Sequence, residues 1–363
     1  MTESALLAGL RKEIREQGWG RKATGSILLQ LLINLIIVLT GTSVYLMVDN
    51  PLAQVCGIVA STAGSMGVAT IAHTASHYAA SDRRWVNELL TYFGYPFFVG
   101  LSATYWRYKH LTIHHRSTNV IGVDEDINLA PWFAMSRSEV ERSRGWRRWY
   151  YERVQWLVFP VVLAVTGFHM QKSGLVYLIR KLSNHSQLRR AHLKDLLAVF
   201  LFFVVWVGLP ALYWPAVDVI TFYLLRIGLM SYAMFVVLAP AHFPAEAARI
   251  DDRLQNSEHL LLLQTATTIN FRTGFLGKLI CSGLQYQIEH HLFPEISHVH
   301  YPKMSVRIEK FCREHGFPYR SYQWESVLWK SLLVLRKPPD VVTSAEMLRG
   351  TVQKTTYKCT DFI

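Results

Sequence analysis

The chain has 363 residues, of which 51% are hydrophobic and 13% aromatic, with a positive mean hydropathy and a net charge of +12. That balance excludes an ordinary soluble domain and points to membrane residence. Lys and Arg flank apolar blocks, as in the cytoplasmic loops of membrane proteins, and no nucleic-acid-binding motif accompanies them, so nucleic acid is excluded as a partner.

Residues 1–25 form a polar, basic leader that reads as a cytoplasmic amphipathic helix rather than a cleavable signal. Residues 26–48 then supply a first membrane span, at about 20 residues per crossing. Asp49, Asn50 and Pro51 make a tight turn, and residues 52–72 return, rich in small side chains. Gly64 and Gly67 in this span read as sites of close helix packing ahead of room for a ligand. A second hairpin follows downstream, with spans at 195–213 and 218–239. Two apolar stretches, 88–104 and 156–170, are shorter and interrupted by Gly or Pro. If the histidine clusters are to meet on one side of the membrane, an even number of crossings separates each pair, so both stretches lie in the interface. The expected fold is all-α and integral to the membrane. It has four transmembrane helices in two hairpins, interfacial helices, and a cytoplasmic histidine-bearing cap from residues 73–194 and 240–340, all within a single domain, 26–363.

His73 and His77 stand four apart at the exit of the second span, which puts both on one face of a helix. His110, His114 and His115 follow, the first two again four apart and the third about 100 degrees further round the helix. Gln287, His290 and His291 make a third group on one side of a helix, and His242 ends the fourth span. The remaining histidines read as bland. His169 is a boundary residue, and His185, His192, His259 and His315 are solvated; His298 and His300 receive no role. Eight grouped imidazoles are too many for one ion. Two ions with open positions match a dinuclear redox centre better than a structural zinc, and iron is the ion that also activates dioxygen. Cys56, Cys281, Cys312 and Cys359 have no paired spacing and read as free thiols.

These residues resemble the membrane fatty acid desaturases, within the group that has Gln in the third box and includes the front-end desaturases. "HTASH" resembles the HxxxH box, residues 85–127 resemble the series leading through HxxxHH to Asp-x-Asp-Ile, and residues 269–294 are similar to the segment carrying QxxHH. His242 with Glu246 resembles the region of an additional ligand. The resemblance implies that His73, His77, His110, His114, His115, His242, Gln287, His290 and His291 hold two irons. With dioxygen as co-substrate, these would remove two hydrogens from a fatty acyl chain carried on coenzyme A, acyl carrier protein or a membrane lipid. Spans two and four would wall the acyl tunnel. It also implies an active site on the cytoplasmic side of a bacterial inner membrane or endoplasmic reticulum. Two places depart from the family pattern, Thr74 after the first box's leading histidine and Leu111 after the second's. They bear on the outcome, because acyl hydroxylases, acetylenases and decarboxylases use the same irons.

The same stoichiometry requires two electrons from outside, and no haem motif, cysteine array, flavin or nicotinamide fingerprint occurs in the chain. A separate donor such as a ferredoxin or cytochrome is therefore expected. The basic aromatic run 142–153 reads as a membrane-surface anchor or as a contact for lipid phosphates or an acidic carrier. A metal transporter is the contrasting reading, but it would place its ligands at mid-membrane on facing helices.

Overall fold

The computed structural model describes residues 2–184, 186–254 and 259–349, so the expectations for His185 and Cys359 lie outside the described residues. The leader forms α1 (Glu3–Glu16), opened by the Thr2 hydroxyl, which accepts the Ala5 N–H at 3.3 Å. Its apolar stripe does not lie free before the first span. Leu10 and Ile14 are buried against Leu261, Ile288, Phe293 and Met304, because the cap offers an apolar surface of its own. An Arg307–Glu13 ion pair closes the same junction.

Next come α2 (Thr24–Met47) and α3 (Pro51–Ser76), joined through Asn50, whose side chain accepts the Ala53 N–H while Pro51 occupies the first turn. These two helices touch at glycines. A Cβ on Gly41 would stand 2.6 Å from the Gly57 carbonyl oxygen, and one on Gly67 only 2.0 Å from Asn34 Oδ1. The small residues of the second span therefore serve backbone-close packing. The two helices are unequal: 22% of the apolar window of α2 is buried against 72% of that of α3, which makes α3 the inner wall.

The middle of the chain comprises α4 (Arg84–Tyr92), a π-helical turn Phe93–Val99, α5 (Ala103–Arg107) and a second π-helical turn Tyr108–His114. It continues through α6 (Arg137–Arg142), α7 (Gly145–Arg153), α8 (Gln155–Leu163) and α9 (Thr166–Ser183). Then α10 (Arg190–Phe203) runs on through short turns to Leu212, and α11 (Ala216–His242) returns. The cap is completed by α12 (Leu260–Ala266), α13 (Phe275–Cys281), α14 (Gln287–Leu292), α15 (Tyr301–His315) and α16 (Trp324–Leu333). Four strands, β1 (Arg249–Ile250), β2 (Asn270–Arg272), β3 (Ser321–Gln323) and β4 (Val341–Val342), pair in parallel as β1 with β4 and β2 with β3.

Among the described residues four helices are long and apolar enough to cross a membrane: α2, α3, α10 with its extension, and α11. Their outer faces carry exposed Leu and Ile side chains, such as Leu39 at 67%, which suits lipid as solvent. The stretches 88–104 and 156–170 are broken up, the first by the π turn and Gly100 (φ 78), the second between α8 and α9. Both α3 and α11 run past the expected ends at 72 and 239, so that His73 lies inside α3 and His242 is the last residue of α11. The apolar run marks only the lipid-facing length; the extra turns are covered by protein and continue with polar side chains.

His192 corrects an expectation. It is buried rather than solvated, and its Nδ1 accepts the Arg189 N–H at 3.1 Å to close the start of α10. Nearby, buried Asp195 accepts the Ala103 and Thr104 N–H groups at 3.0 and 2.7 Å and the Ser102 hydroxyl at 2.7 Å. A carboxylate at the N-terminus of α5 satisfies donors that have no partner within the helix, and so anchors the segment leading to the second box.

Candidate metal centre

All eight grouped histidines converge. In each of two sets, His73, His77, His110 and His290, and His114, His242 and His291, one ring nitrogen per residue lies within 4.8 Å of the others. In the first set His73 is 4.6 Å from His110 and 4.7 Å from His290 between ring centroids. In the second, His242 is 4.7 Å from His114 and 5.1 Å from His291. His115 stands between the sets, 4.8 Å from His290 and 4.4 Å from His291.

Local backbone accounts for this division. The expected α-helical spacing would put His110 and His114 on one face, but residues Tyr108–His114 form a π turn. The His115 N–H donates to the His110 carbonyl at 3.0 Å, five residues back, so His110 and His115 become neighbours across the wider turn. Their Nε2 atoms lie 3.1 Å apart. Adjacent residues on α14 split in the same way, His290 to the first set and His291 to the second, their rings at 87°. His110 is additionally stacked on Trp106, with centroids 4.8 Å apart.

The nitrogens fit ions. Two imidazole nitrogens, each about 2.1 Å from one first-row ion and at right angles, stand about 3 Å apart; His73 Nε2 and His110 Nε2 are separated by 2.8 Å. Nε2 of His77, His290 and His291, Nδ1 of His242, and Oε1 of Gln287 are buried with no hydrogen-bond partner among the described residues. Burial of that many unpaired acceptors is costly unless something binds them. Gln287 opens α14 on the same short helix as His290 and His291.

Outer partners set the orientation of the rings. His114 Nδ1–H donates to Asp124 at 3.0 Å, and Asp124 also accepts the Asn119 N–H at 2.9 Å. His291 Nδ1–H donates to Gln264 Oε1 at 3.0 Å. The Tyr301 hydroxyl is 3.5 Å from His290 Nδ1. Asp126 comes within ligand reach of His110 and His114, but Lys109 holds its carboxylate at 2.7 Å. The last carbonyls of α11 are gathered by buried Arg249, which donates to the His242 oxygen at 2.7 Å and to the Phe243 oxygen at 2.6 Å. A cation at a helix C-terminus satisfies orphan carbonyls and the helix dipole together, and here it fixes His242.

Electrostatics follow the same pattern. Burial, with neighbouring imidazoles adding, pushes His110, His115, His290 and His291 well below the ordinary imidazole value, and His77 to about 3, so these rings are neutral donors. Burial would also lower His114, but Asp124 holds it above its ordinary value. Glu289, between His290 and Ile288, points the other way, accepting from Asn270 at 2.7 Å and Tyr319 at 2.8 Å. Burial pushes its carboxyl up to about 7.

An apolar cavity begins at the first set, between α3 and α11, lined by Met66, His73, Val99, Met230, Met234 and Leu284 among others. Its volume of about 30 Å³ holds only a few waters at roughly 10–15 Å³ each, so a longer ligand must displace the methionines, whose side chains are adaptable.

The sequence reading did not identify Arg249, Asn119, Gln264, Asp195 or Tyr301, since none sits in a repeating pattern. His298 now has a place: the Thr74 hydroxyl donates to its Nδ1 at 2.9 Å, and its Nε2–H donates to Gln30 at 2.9 Å. His300 donates to the Arg21 carbonyl. His169 is exposed, and His315 bonds its own helix. His259 pairs with Glu3 at 3.0 Å rather than being simply solvated. Glu246 is paired with Lys330. Cys56, Cys281 and Cys312 are free.

A family model described as fatty acid desaturase matches residues 50–323. An sn-1 linoleoyl-lipid 6-desaturase of Synechocystis sp. is 29% identical over 271 residues, covering 69% of this chain and 70% of its own length. The enzyme of the same name from Arthrospira platensis is 27% identical, over 70% of this chain and 68% of its own length. An acyl-lipid (7-3)-desaturase of Chlamydomonas reinhardtii is 30% identical over 75% of this chain, which spans 53% of that protein.

Proposed function

The chain belongs to the fatty acid desaturase family and is a membrane-bound fatty acyl desaturase; from that premise we propose that it uses dioxygen and that its residues divide the work as follows. The four long helices cross as two hairpins, α2 with α3 and α10 with α11, in one domain after the leader. The cap and both sets of imidazoles lie on the cytoplasmic side, where the excess of Lys and Arg belongs. His73, His77, His110 and His290 hold one iron, His114, His242 and His291 the other, with His115 and Gln287 completing the shell. When bound, the irons supply the activation of dioxygen that breaks unactivated methylene C–H bonds.

The chain's own residues do the rest. His73 is shared by the first set and the apolar cavity, so an acyl chain lying along Met230, Met234 and Val99 passes beside that set. Trp106 and Tyr95, both buried, keep water from it. Asp124, by accepting a hydrogen bond from His114 Nδ1–H, leaves Nε2 as the ligating nitrogen. Removal of two hydrogens yields two electrons, and reduction of dioxygen to two waters takes four. A separate protein donor delivers the other two to the basic face.

The observation that carries this reading is a double imidazole cluster whose His73 also walls an apolar cavity. The test is expression in a host of known lipid composition, with mass spectrometry locating the new double bond and metal analysis of the purified chain. The expected result is one new double bond at a fixed position with iron in the protein. An iron-loaded chain that gives only hydroxylated, acetylenic or shortened products would replace desaturation by one of the related oxidations.

A further inference from the structure

Three separate cavities are neighbours through shared lining residues. The apolar one between α3 and α11 shares His73 and Leu284 with a small one beside the imidazoles, which also touches Pro294, Ile296 and Tyr301. That one in turn shares Ile296 with a third, of about 150 Å³, which opens between α1 and the loop following α14. The lining differs from one to the next, from methionines through imidazoles to a basic rim of Arg11, Arg15 and Lys22 around one carboxylate, Glu295. Among the described residues, none of these three cations has a carboxylate within ion-pair distance. Arg11 leans over the Phe293 ring, 5.9 Å from its centroid, and Phe293 is the second residue after His291. Lys22 donates to the Glu295 carbonyl, which brings the ammonium into the mouth of the pocket.

Unpaired cations around a pocket on the order of ten waters in size match a phosphate group, whose oxygens accept several charge-assisted hydrogen bonds at once. The apolar end matches a hydrocarbon chain. We propose that the pocket rimmed by Arg11, Arg15 and Lys22 receives the phosphate-bearing head of the acyl substrate, so that the chain threads past Ile296 and His73 and ends among Met230 and Met234. The inference rests on the desaturase reading and adds where substrate enters and what its carrier must present. It also gives α1 a function, because the rim exists only while the leader is docked on the cap.

The experiment measures equilibrium binding to the full-length, iron-loaded protein in neutral detergent. Its probes are dioleoyl phosphatidylglycerol, oleoyl coenzyme A and, as a ligand without phosphate, methyl oleate. Arg11→Gln with Arg15→Gln should weaken the phosphate-bearing probe by about tenfold or more while leaving methyl oleate within about twofold. Glu295→Gln should tighten the same probe by about two- to threefold, a gain that damage to the fold does not produce. Weakening confined to phosphatidylglycerol identifies a lipid carrier, and weakening confined to oleoyl coenzyme A a thioester carrier; either supports the pocket. Unchanged affinity for both in the double variant overturns the proposal while the desaturase reading stands. A wild-type chain that binds none of the three probes overturns that reading and the proposal with it.

Discussion

The two sets of imidazoles share one ligand type but not one environment. Around His114, His242 and His291 the outer nitrogens and backbone are held by Asp124, Gln264 and Arg249, two of them charged and all three buried. Around His73, His77, His110 and His290 the support is a stacked Trp106 and a Tyr301 hydroxyl at 3.5 Å, and among the described residues no carboxylate bonds to any of these rings. The first set also borders the apolar cavity, which the second does not. A carboxylate behind an imidazole makes it a stronger, better oriented donor, so on the function proposed above the second set would retain its ion more firmly and the first would face substrate.

That contrast is open to direct attack. The largest effect is expected from His290→Ala and His291→Ala, neighbours on α14 that serve different sets. Both should abolish turnover, each with loss of one ion of the pair, and Mössbauer or X-ray absorption spectra of the ion that remains should differ between them. Identical spectra would mean that the two sets are a single site. Next in size, Asp124→Asn keeps the shape but loses the charge, and should weaken the second set's ion by about 10- to 100-fold while sparing the first. Titration with a competing chelator measures both steps, and equal weakening of the two would erase the asymmetry. The smallest effect belongs to Tyr301→Phe. A neutral contact of that length contributes little, so metal affinity at the first set should fall by no more than about two- to threefold in the same titration. A loss as large as that of Asp124→Asn would show the first set to be braced as firmly as the second.

Much of this arrangement is legible in the linear chain. Apolar blocks near bilayer length mark the four long helices within a few residues, since the lipid-facing stretch must be continuous. The clustered histidines stand out because imidazoles in runs have no packing role in so apolar a chain, and the boxes together with the family resemblance identify the chemistry. The leader's amphipathic stripe is visible too, but not its partner, because one apolar stripe fits a membrane surface or a protein surface equally well. Only the folded chain shows that Leu10 and Ile14 meet the cap.

Residue type and spacing by themselves determined that this protein is a membrane helical bundle with enough grouped imidazoles for more than one ion. Tertiary structure decided how those imidazoles are shared. The π turn at Tyr108–His114 adds a residue to the local repeat and pairs His110 with His115, a change that α-helical spacing does not reveal. The partners that hold the rings and their backbone, Asp124 ten residues from His114, Gln264 from another helix, and Arg249 from β1, are brought in by chain reversal and burial. Each is polar and unremarkable in sequence. What makes it necessary is that a buried ring nitrogen or carbonyl must find a partner, and which partner is available depends on which segments the fold has placed against it.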